Sequence, residues 1–265
     1  MSFGYQVLGF GTVASPAGSF YAATGGTVTT DGDYKVHSFT SSGTFAVTQV
    51  ADDPANAELD YLIIAGGGGA GYPNSCGGGA GGRLYLENYT GITSTGDISV
   101  TVGAGGAGYA DRTLNAKGDG DSGANSVFNS INAIGGGGGG YKRGLGSSAG
   151  LDGGSGGGSG KISATSSGTA GQGNAGGNSQ SGGGGGGAGA AGSSTNGGNG
   201  LASSITGASV ILAGGGAGVT GTAGSGGGGD PGASGTVNTG GGAGGSDSIV
   251  TNGGSGIVII RYKFR

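Results

Sequence analysis

Tryptophan is absent from this sequence, cysteine, methionine and histidine occur once each, prolines number four, and charged side chains make up only 9%. The lone Cys76 excludes an intrachain disulfide, and with a single histidine, His37, no Cys/His cluster can hold zinc. Ten Lys and Arg against 14 Asp and Glu give a formal net charge of −4, which argues against nucleic-acid binding through a basic surface. No apolar run approaches the roughly 20 residues of a membrane-spanning helix, so no membrane insertion is expected. The stretch Met1-Ser2-Phe3-Gly4-Tyr5-Gln6 has no basic region ahead of an apolar one, so no secretory signal is expected. No segment free of glycine keeps an apolar 3.6-residue period for ten residues, so no α-helix is expected anywhere.

What the chain has instead is glycine, 79 of its 265 residues. Collagen is excluded, because the glycines come in runs, as at Gly66 to Gly69, Gly135 to Gly140 and Gly182 to Gly187, and not in a Gly-X-Y period rich in proline. Disorder is the competing reading, since ordering each residue costs roughly 1–2 kcal/mol and glycine loses the most freedom. Against it stand compact β-branched segments between the runs: Tyr61 to Ile64, Ile98 to Val102, Val210 to Leu212 and Ile257 to Ile260.

The first sixty residues carry strand signals at Phe3 to Phe10, Ser19 to Ala23, Thr27 to Thr30, Tyr34 to Phe39 and Thr44 to Val50, separated by turn residues such as Asp31-Gly32-Asp33 and Ser41-Ser42-Gly43. Tyr34, Val36 and Ser38 fall on one face of their strand and Lys35, His37 and Phe39 on the other. Neither face is purely apolar, so partial cover on both sides is expected. Further on a module recurs, an apolar strand followed by a glycine run: Leu62-Ile63-Ile64-Ala65-Gly66, Asn132-Ala133-Ile134-Gly135 and Ile211-Leu212-Ala213-Gly214. At the C-terminal end Val258, Ile260, Tyr262 and Phe264 share a face, while the opposite face turns from Ile257 and Ile259 to Arg261, Lys263 and Arg265. This strand is expected in the β-layer, close to Leu62 to Ile64.

Each strand thus enters a layer too tight for side chains. Glycine runs in the polyproline II conformation, three residues per turn and about 3.1 Å rise, have no internal hydrogen bonds and can bond to one another side by side. An alanine would clash at an inward position of such a layer and fit at an outward one, as in Ala188-Gly189-Ala190 after Gly182 to Gly187. The expected fold class is all-β: a small β-sandwich-like layer of strands combined with packed polyglycine II helices, without α-helix. The expected organisation is a strand-rich attachment or assembly segment over 1–33 and a glycine-rich domain over 34–265.

Several segments resemble a known family: Phe39-Thr40-Ser41-Ser42-Gly43-Thr44-Phe45, Tyr61 to Ala65 before Gly66 to Gly69, Val100-Thr101-Val102-Gly103-Ala104-Gly105-Gly106, Asn125-Ser126-Val127-Phe128 leading to Ala133-Ile134 and Gly135 to Gly140, and Gly253-Gly254-Ser255-Gly256 followed by Ile257 to Tyr262. Over roughly residues 34 to 265 the chain looks like the glycine-rich domain of tailed-phage fibre and appendage proteins. It is similar in plan to the tail-fibre tip adhesins of T-even-like phages, but without their tryptophan-rich attachment region. The resemblance implies a virion protein released by lysis, with polyglycine helices as scaffold and the intervening segments touching the host surface.

The chemical motifs carry less. Gly103-Ala104-Gly105-Gly106-Ala107-Gly108 matches a dinucleotide pattern after a strand, but lacks the helix whose N-terminus holds pyrophosphate. Gly160-Lys161 is followed by Ile162 where a phosphate loop needs a hydroxyl. Gly153-Gly154-Ser155-Gly156-Gly157 matches a hydrolase nucleophile pattern, with only His37 as base for Ser155 or Cys76. Asp119-Gly120-Asp121 with Asn125 offers oxygen ligands, but a solvated turn is the better reading than a calcium site. Neither catalytic residues, a metal nor a cofactor is expected.

Side chains too large for the glycine layer must be expelled to its edges. Tyr72 and Asn74, Tyr109 and Arg112, and Tyr141, Lys142 and Arg143 interrupt the runs in this way. Tyrosine and arginine bring broad contact area and hydrogen bonds at modest entropic cost, so these seven residues are the candidate receptor-binding set. The expected function is recognition of a bacterial surface protein or glycan, with other virion or fibre subunits as further partners. The alternative is a structural role, forming a fibril or decorating a capsid through strand edges.

Overall fold

The computed structural model describes residues 18–54, 56–111, 113, 116–143, 145–161 and 164–265; the strand expected at Phe3 to Phe10 and the candidate Arg112 lie outside them. Among the described residues there is no helix. The described residues form fourteen strands, in two five-stranded sheets and two hairpins. The first sheet is ordered β1-β4-β7-β8-β9, from β1 (Ala22–Thr24), β4 (Gly43–Gln49), β7 (Gly96–Thr101), β8 (Ser126–Phe128) and β9 (Ile131–Ala133). The second is ordered β2-β3-β14-β5-β6, from β2 (Thr27–Asp31), β3 (Tyr34–Phe39), β14 (Ile257–Lys263), β5 (Leu59–Ile64) and β6 (Arg83–Tyr89). The hairpins are β10 (Lys142–Arg143) with β11 (Gly146–Ser147) and β12 (Leu201–Ser203) with β13 (Val210–Leu212).

Turn chemistry fixes the local pairings. Asn129 and Ser130, at φ 46° and 65°, form the two-residue link between Phe128 and Ile131, since a type I′ hairpin turn requires positive φ at both positions. The β-branched stretches of β5 and β14 pair antiparallel, Ile257 against Ile64 and Val258 against Ile63, as their shared apolar character suggests. On its other side β14 pairs with β3, Ile260 opposite His37. The last strand therefore occupies the centre of its sheet.

Alternation along these strands explains the two cores. Tyr61, Ile63, Val258, Ile260, Tyr262 and Phe39 face Phe45, Val47, Val100, Phe128 and Ala133 of the first sheet, in one cluster. The intervening residues Val36, Leu62, Ile64 and Ile259 point to the opposite face, where Ile205, Leu212, Ala213 and Ala80 cover them. Val36 and His37, neighbours on β3, are both fully buried, so the strand is covered on its two faces. Each fully buried side chain of this size contributes roughly 1.5–3 kcal/mol.

The strands lead directly into the glycine layer. In the segment after β5, Gly66, Gly69 and Tyr72 donate backbone hydrogen bonds to Ala124, Asp121 and Gly118. Gly67 and Ala70 donate to Gly254 and Thr251, and Ala65 and Gly68 to Gly82 and Gly79. Every third residue faces the same neighbour, which is the period of polyglycine II. The carbonyls repeat the pattern: Gly66 and Gly69 accept from Gly136 and Gly139, Gly67 and Ala70 from Gly106 and Tyr109, and Gly68 from Ala243. The segment is therefore one rod among six others, three receiving its amides and three its carbonyls.

The returning rod is bound alike. Cys76, Gly79 and Gly82 donate to Gly140, Gly137 and Ile134; Gly77 and Ala80 to Gly183 and Gly186; Gly78 and Gly81 to Ala243 and Gly240. A Cβ built on Gly78 would stand 2.0 Å from the Gly68 carbonyl oxygen, and one on Gly185 only 1.9 Å from that of Gly78. For most glycines of the rods the obstacle is backbone and not side chain. Alanine is nevertheless admitted at buried places in the layer: Ala80 is fully buried because its methyl group meets Leu62 and Ile64 instead of another rod. The inward-versus-outward rule for alanine is corrected accordingly, while Ala188 and Ala190 do lie at the partly or fully exposed margin.

Candidate functional site

The directions of the rods decide where the interrupting side chains collect. The rod 65–72 leaves β5, and those at 103–109 and 135–140, leaving β7 and β9, run parallel to it, as the pairs Gly106 with Gly67, Tyr109 with Ala70, Gly136 with Gly66 and Gly139 with Gly69 show. The rods 76–82, 118–124 and 251–256 run back, into β6, β8 and β14. The described residues of the connecting segments 72–76, 109–118, 141–149 and 246–250 therefore share one end of the rod bundle, opposite the sheets. Five or six residues of polyglycine II separate that end from the strands, about 15–19 Å.

At this end the candidate residues are brought onto neighbouring turns. The peptide groups of Tyr72 and Gly118 bond reciprocally, at 2.9 and 3.0 Å. The Tyr109 ring lies against Gly118, where any Cβ would run into the ring carbons. Lys142 donates its backbone N–H to the Pro73 carbonyl at 2.9 Å, joining the third turn to the first, which contains the cis bond Tyr72-Pro73. Arg143 reaches the Ala116 carbonyl through Nη1 at 3.4 Å, and Lys117 Nζ stands 6.0 Å from the Tyr141 ring centroid. Tyr72, Tyr109, Tyr141, Lys142 and Arg143 are half-buried, and Asn74 is exposed at φ 41°. Six of the seven candidates thus lie on three adjacent turns.

The sequence reading did not single out Lys117, which projects between Tyr141 and the Tyr109 turn, nor the turn Ser246 to Val250. Asp247 Oδ1 accepts from the Ser75 amide at 3.3 Å, placing that turn beside the first, with Ile249 and Val250 exposed. The signal was present. Both are interruptions of glycine-rich stretches by side chains the layer cannot hold.

The acidic residues of this end are engaged internally. Asp119 accepts a hydrogen bond from the Ser148 hydroxyl, whose oxygen accepts in turn from the Tyr141 amide at 2.9 Å. Burial, partly countered by the Ser148 hydroxyl, holds the Asp119 carboxyl above its ordinary range. Asp119 is half-buried and not a solvated turn residue, and Asn125 Oδ1 is taken by the Gly135 amide at 2.8 Å. Asp119 and Asn125 thus spend a side-chain oxygen on hydrogen bonds within the scaffold, and among the described residues no three His, Cys, Asp or Glu side chains form a metal cluster.

The Gly103–Gly108 and Ser155 motifs lie within the glycine layer. Gly103 to Gly108 follows β7 as a rod, with the Gly103 amide on Ser126 Oγ at 2.9 Å. Ser155 is fully buried in the layer, its amide on the Ala80 carbonyl at 3.0 Å and its hydroxyl without a hydrogen-bond partner. Cys76 is also fully buried, and burial pushes its thiol up to about 12. His37, the only histidine, lies between the sheets with Nδ1 2.8 Å from the Gly25 carbonyl and Nε2 3.1 Å from the Tyr262 hydroxyl. No described helix is long and apolar enough to cross a membrane.

No curated protein matches the chain. The model of the glycine-rich domain family matches residues 40–263, from just after β3 to the end of β14, which takes in β4 to β14, the rods and the end turns and leaves out β1, β2 and β3. The chain belongs to the glycine-rich domain family.

Proposed function

We propose that this chain is a phage receptor-binding or virion appendage protein that recognises a bacterial surface molecule through the end turns of its glycine rods, without catalysis. The observation that carries this reading is the gathering of Tyr72, Tyr109, Tyr141, Lys142 and Arg143 on adjacent turns held by backbone bonds of a rigid bundle. A surface of half-buried tyrosines and cations on a preorganised frame binds with little loss of conformational freedom. It would work outside the host, on the virion. The combined variant Tyr72→Ala, Tyr109→Ala, Tyr141→Ala and Arg143→Ala is expected to lose adsorption to bacteria while its thermal midpoint stays within a few degrees of the parent. Undiminished adsorption would overturn the assignment.

A structural role as a fibril or capsid-decorating protein is the second reading. It rests on β6 (Arg83–Tyr89), a seven-residue edge strand with Tyr85 and Leu86 exposed, because an open edge can pair with another chain. Electron microscopy of the purified protein separates the two: discrete particles favour recognition and long filaments favour assembly.

A further inference from the structure

We propose that β2 (Thr27–Asp31) is a dimerisation edge, along which two copies of this chain pair antiparallel about a two-fold axis at Thr29 and continue the second sheet from one molecule into the other. The proposal goes beyond the recognition and assembly readings and depends on neither.

The hairpin that carries β2 fixes which of its backbone groups are spare. Gly32, at φ 57°, and Asp33 link Asp31 to Tyr34 in a two-residue turn, so Asp31 and Tyr34 exchange hydrogen bonds, as do Thr29 with Val36 and Thr27 with Ser38. Val28 and Thr30 therefore turn their N–H and C=O groups away from β3, and no described residue bonds to them there. Thr27, Val28, Thr29 and Thr30 are all exposed and uncharged. The carboxylate of Asp31 is turned to Arg261 at 3.7 Å. Lysine, proline and bulges, which keep strand edges apart, are absent from β2.

The other outer strands of the two sheets are blunted. At the far side of the same sheet, β6 gives its Arg83 amide to the Gln172 carbonyl at 2.9 Å, and its Asn88, at φ 57°, gives its amide to Asp60 at 3.1 Å. In the first sheet the Gln172 side chain covers the end of β9, accepting from the Ile134 amide at 2.8 Å and donating to the Asn132 carbonyl at 3.3 Å. Strand β1 has three residues and a register shift after Ala22, and its Ala23 amide goes to the Tyr262 hydroxyl at 3.0 Å. Regular spacing and spare backbone groups coincide on β2.

The partner that fits this edge is the same strand reversed. With the axis at Thr29, Val28 of each copy stands opposite Thr30 of the other and exchanges both of its hydrogen bonds with it. The two Thr29 residues meet as the pair without hydrogen bonds, and Asp31 falls opposite Thr27. Every cross-strand neighbour of Val28, Thr29 and Thr30 is then β-branched, and no like charges are opposed. A two-fold axis lets one strand supply both halves of the contact and closes the edge instead of creating another beside it.

Sedimentation velocity of the full chain at micromolar concentration tests the contact, and the parent is expected to sediment as a dimer. Thr29→Lys brings two ammonium groups together on the axis, while Thr30→Pro removes an outward N–H from each copy and leaves the bonds to β3 in place. Each is expected to weaken the dimer by about tenfold or more. Thr29→Cys is expected to form an intermolecular disulfide under mild oxidation, because the Cα atoms of such a pair lie about 4.5 Å apart. Val28→Cys places its two copies about 8 Å apart, beyond that reach, and is expected to stay reduced. Cys76 is fully buried and takes no part. A monomeric parent overturns the proposal, as does a dimer that survives both Thr29→Lys and Thr30→Pro. Cross-linking of Val28→Cys as fast as Thr29→Cys, or of Leu86→Cys on β6 in place of Thr29→Cys, overturns it as well. The cysteine comparison decides the matter even where the lysine or proline variant fails to fold.

Discussion

The amide of Gly68 donates to the carbonyl of Gly79 at 2.8 Å, although neither residue belongs to a strand. This pair joins an outgoing rod to a returning one, and the returning rod passes so close that Gly78 cannot carry a Cβ without striking Gly68. The same relation, repeated with a three-residue period to neighbours on all sides, turns a composition that suggests disorder into an ordered body. Each backbone bond contributes a net 0.5–1.5 kcal/mol or so, which offsets much of the cost of ordering a glycine.

Glycine-to-alanine substitutions separate this packing from simple flexibility. Gly78→Ala is expected to lower stability by about 3 kcal/mol or more, because the obstacle is a fixed carbonyl. Gly43→Ala, whose Cβ would lie 3.7 Å from the Phe39 ring in ordinary contact, is expected to change stability by less than about 0.5 kcal/mol. Denaturant unfolding of the two variants checks the contrast. Equal effects would mean the rods are loose.

Acid should weaken the fold through His37. Burial lowers its pKa from the ordinary value of 6.5, the Gly25 carbonyl raises it in part, and Lys35 lowers it further. The unfolded chain therefore takes up the proton at a higher pH than the folded one. The stabilisation is complete above pH 6.5 and is lost as pH falls through the lower folded pKa. Unfolding midpoints measured between pH 7.5 and 5 are expected to fall in the parent, and to lose that slope in His37→Gln even where the variant is less stable throughout.

Much of the β-layer was legible from sequence. The alternation along Tyr34 to Phe39 and Ile257 to Lys263 foretold strands with two faces, and the neighbourhood of β14 and β5 follows from their matching apolar runs. The period of the glycine rods was also legible, because chains without Cβ atoms have few ways to pack. Rod direction was not, since nothing in Gly66 to Gly69 says which of the other runs lies beside it. That information sits in pairs such as Gly67 with Gly254 and Ala80 with Gly186, far apart in the chain. For the same reason the interruptions were legible one by one as candidate contacts, while their meeting at one end, and the inclusion of Lys117, emerged only with the topology.

The single thiol reports on the layer from inside. Cys76 is fully buried and its thiol is held up to about 12, so an aromatic disulfide reagent is expected to modify it only as fast as the protein opens. Labelling should follow the unfolding rate as denaturant is added. Rapid labelling in native buffer would show that the first rod turn is open to solvent.

The last strand closes the core. Ile260 is fully buried at the centre of its sheet, between β3 and β5, and Ile260→Ala is expected to cost about 2–5 kcal/mol by transfer and cavity terms together. Tyr262→Phe removes the hydroxyl that accepts from the Ala23 amide at 3.0 Å and meets His37, leaving buried polar groups unpaired at a cost of about 1–3 kcal/mol. Thermal unfolding of both variants measures these losses.

The most direct test of the packed-rod architecture is residue-resolved amide hydrogen exchange by NMR. The amides of Gly66 to Gly69 and Gly77 to Gly82 bond across rods at 2.8–3.0 Å, apart from strand pairing, and are expected to be protected to the same degree as those of Ile63 and Ile260. Protection confined to β5, β14 and their neighbours, with the glycine amides exchanging at the rate of an unstructured chain, would contradict the account.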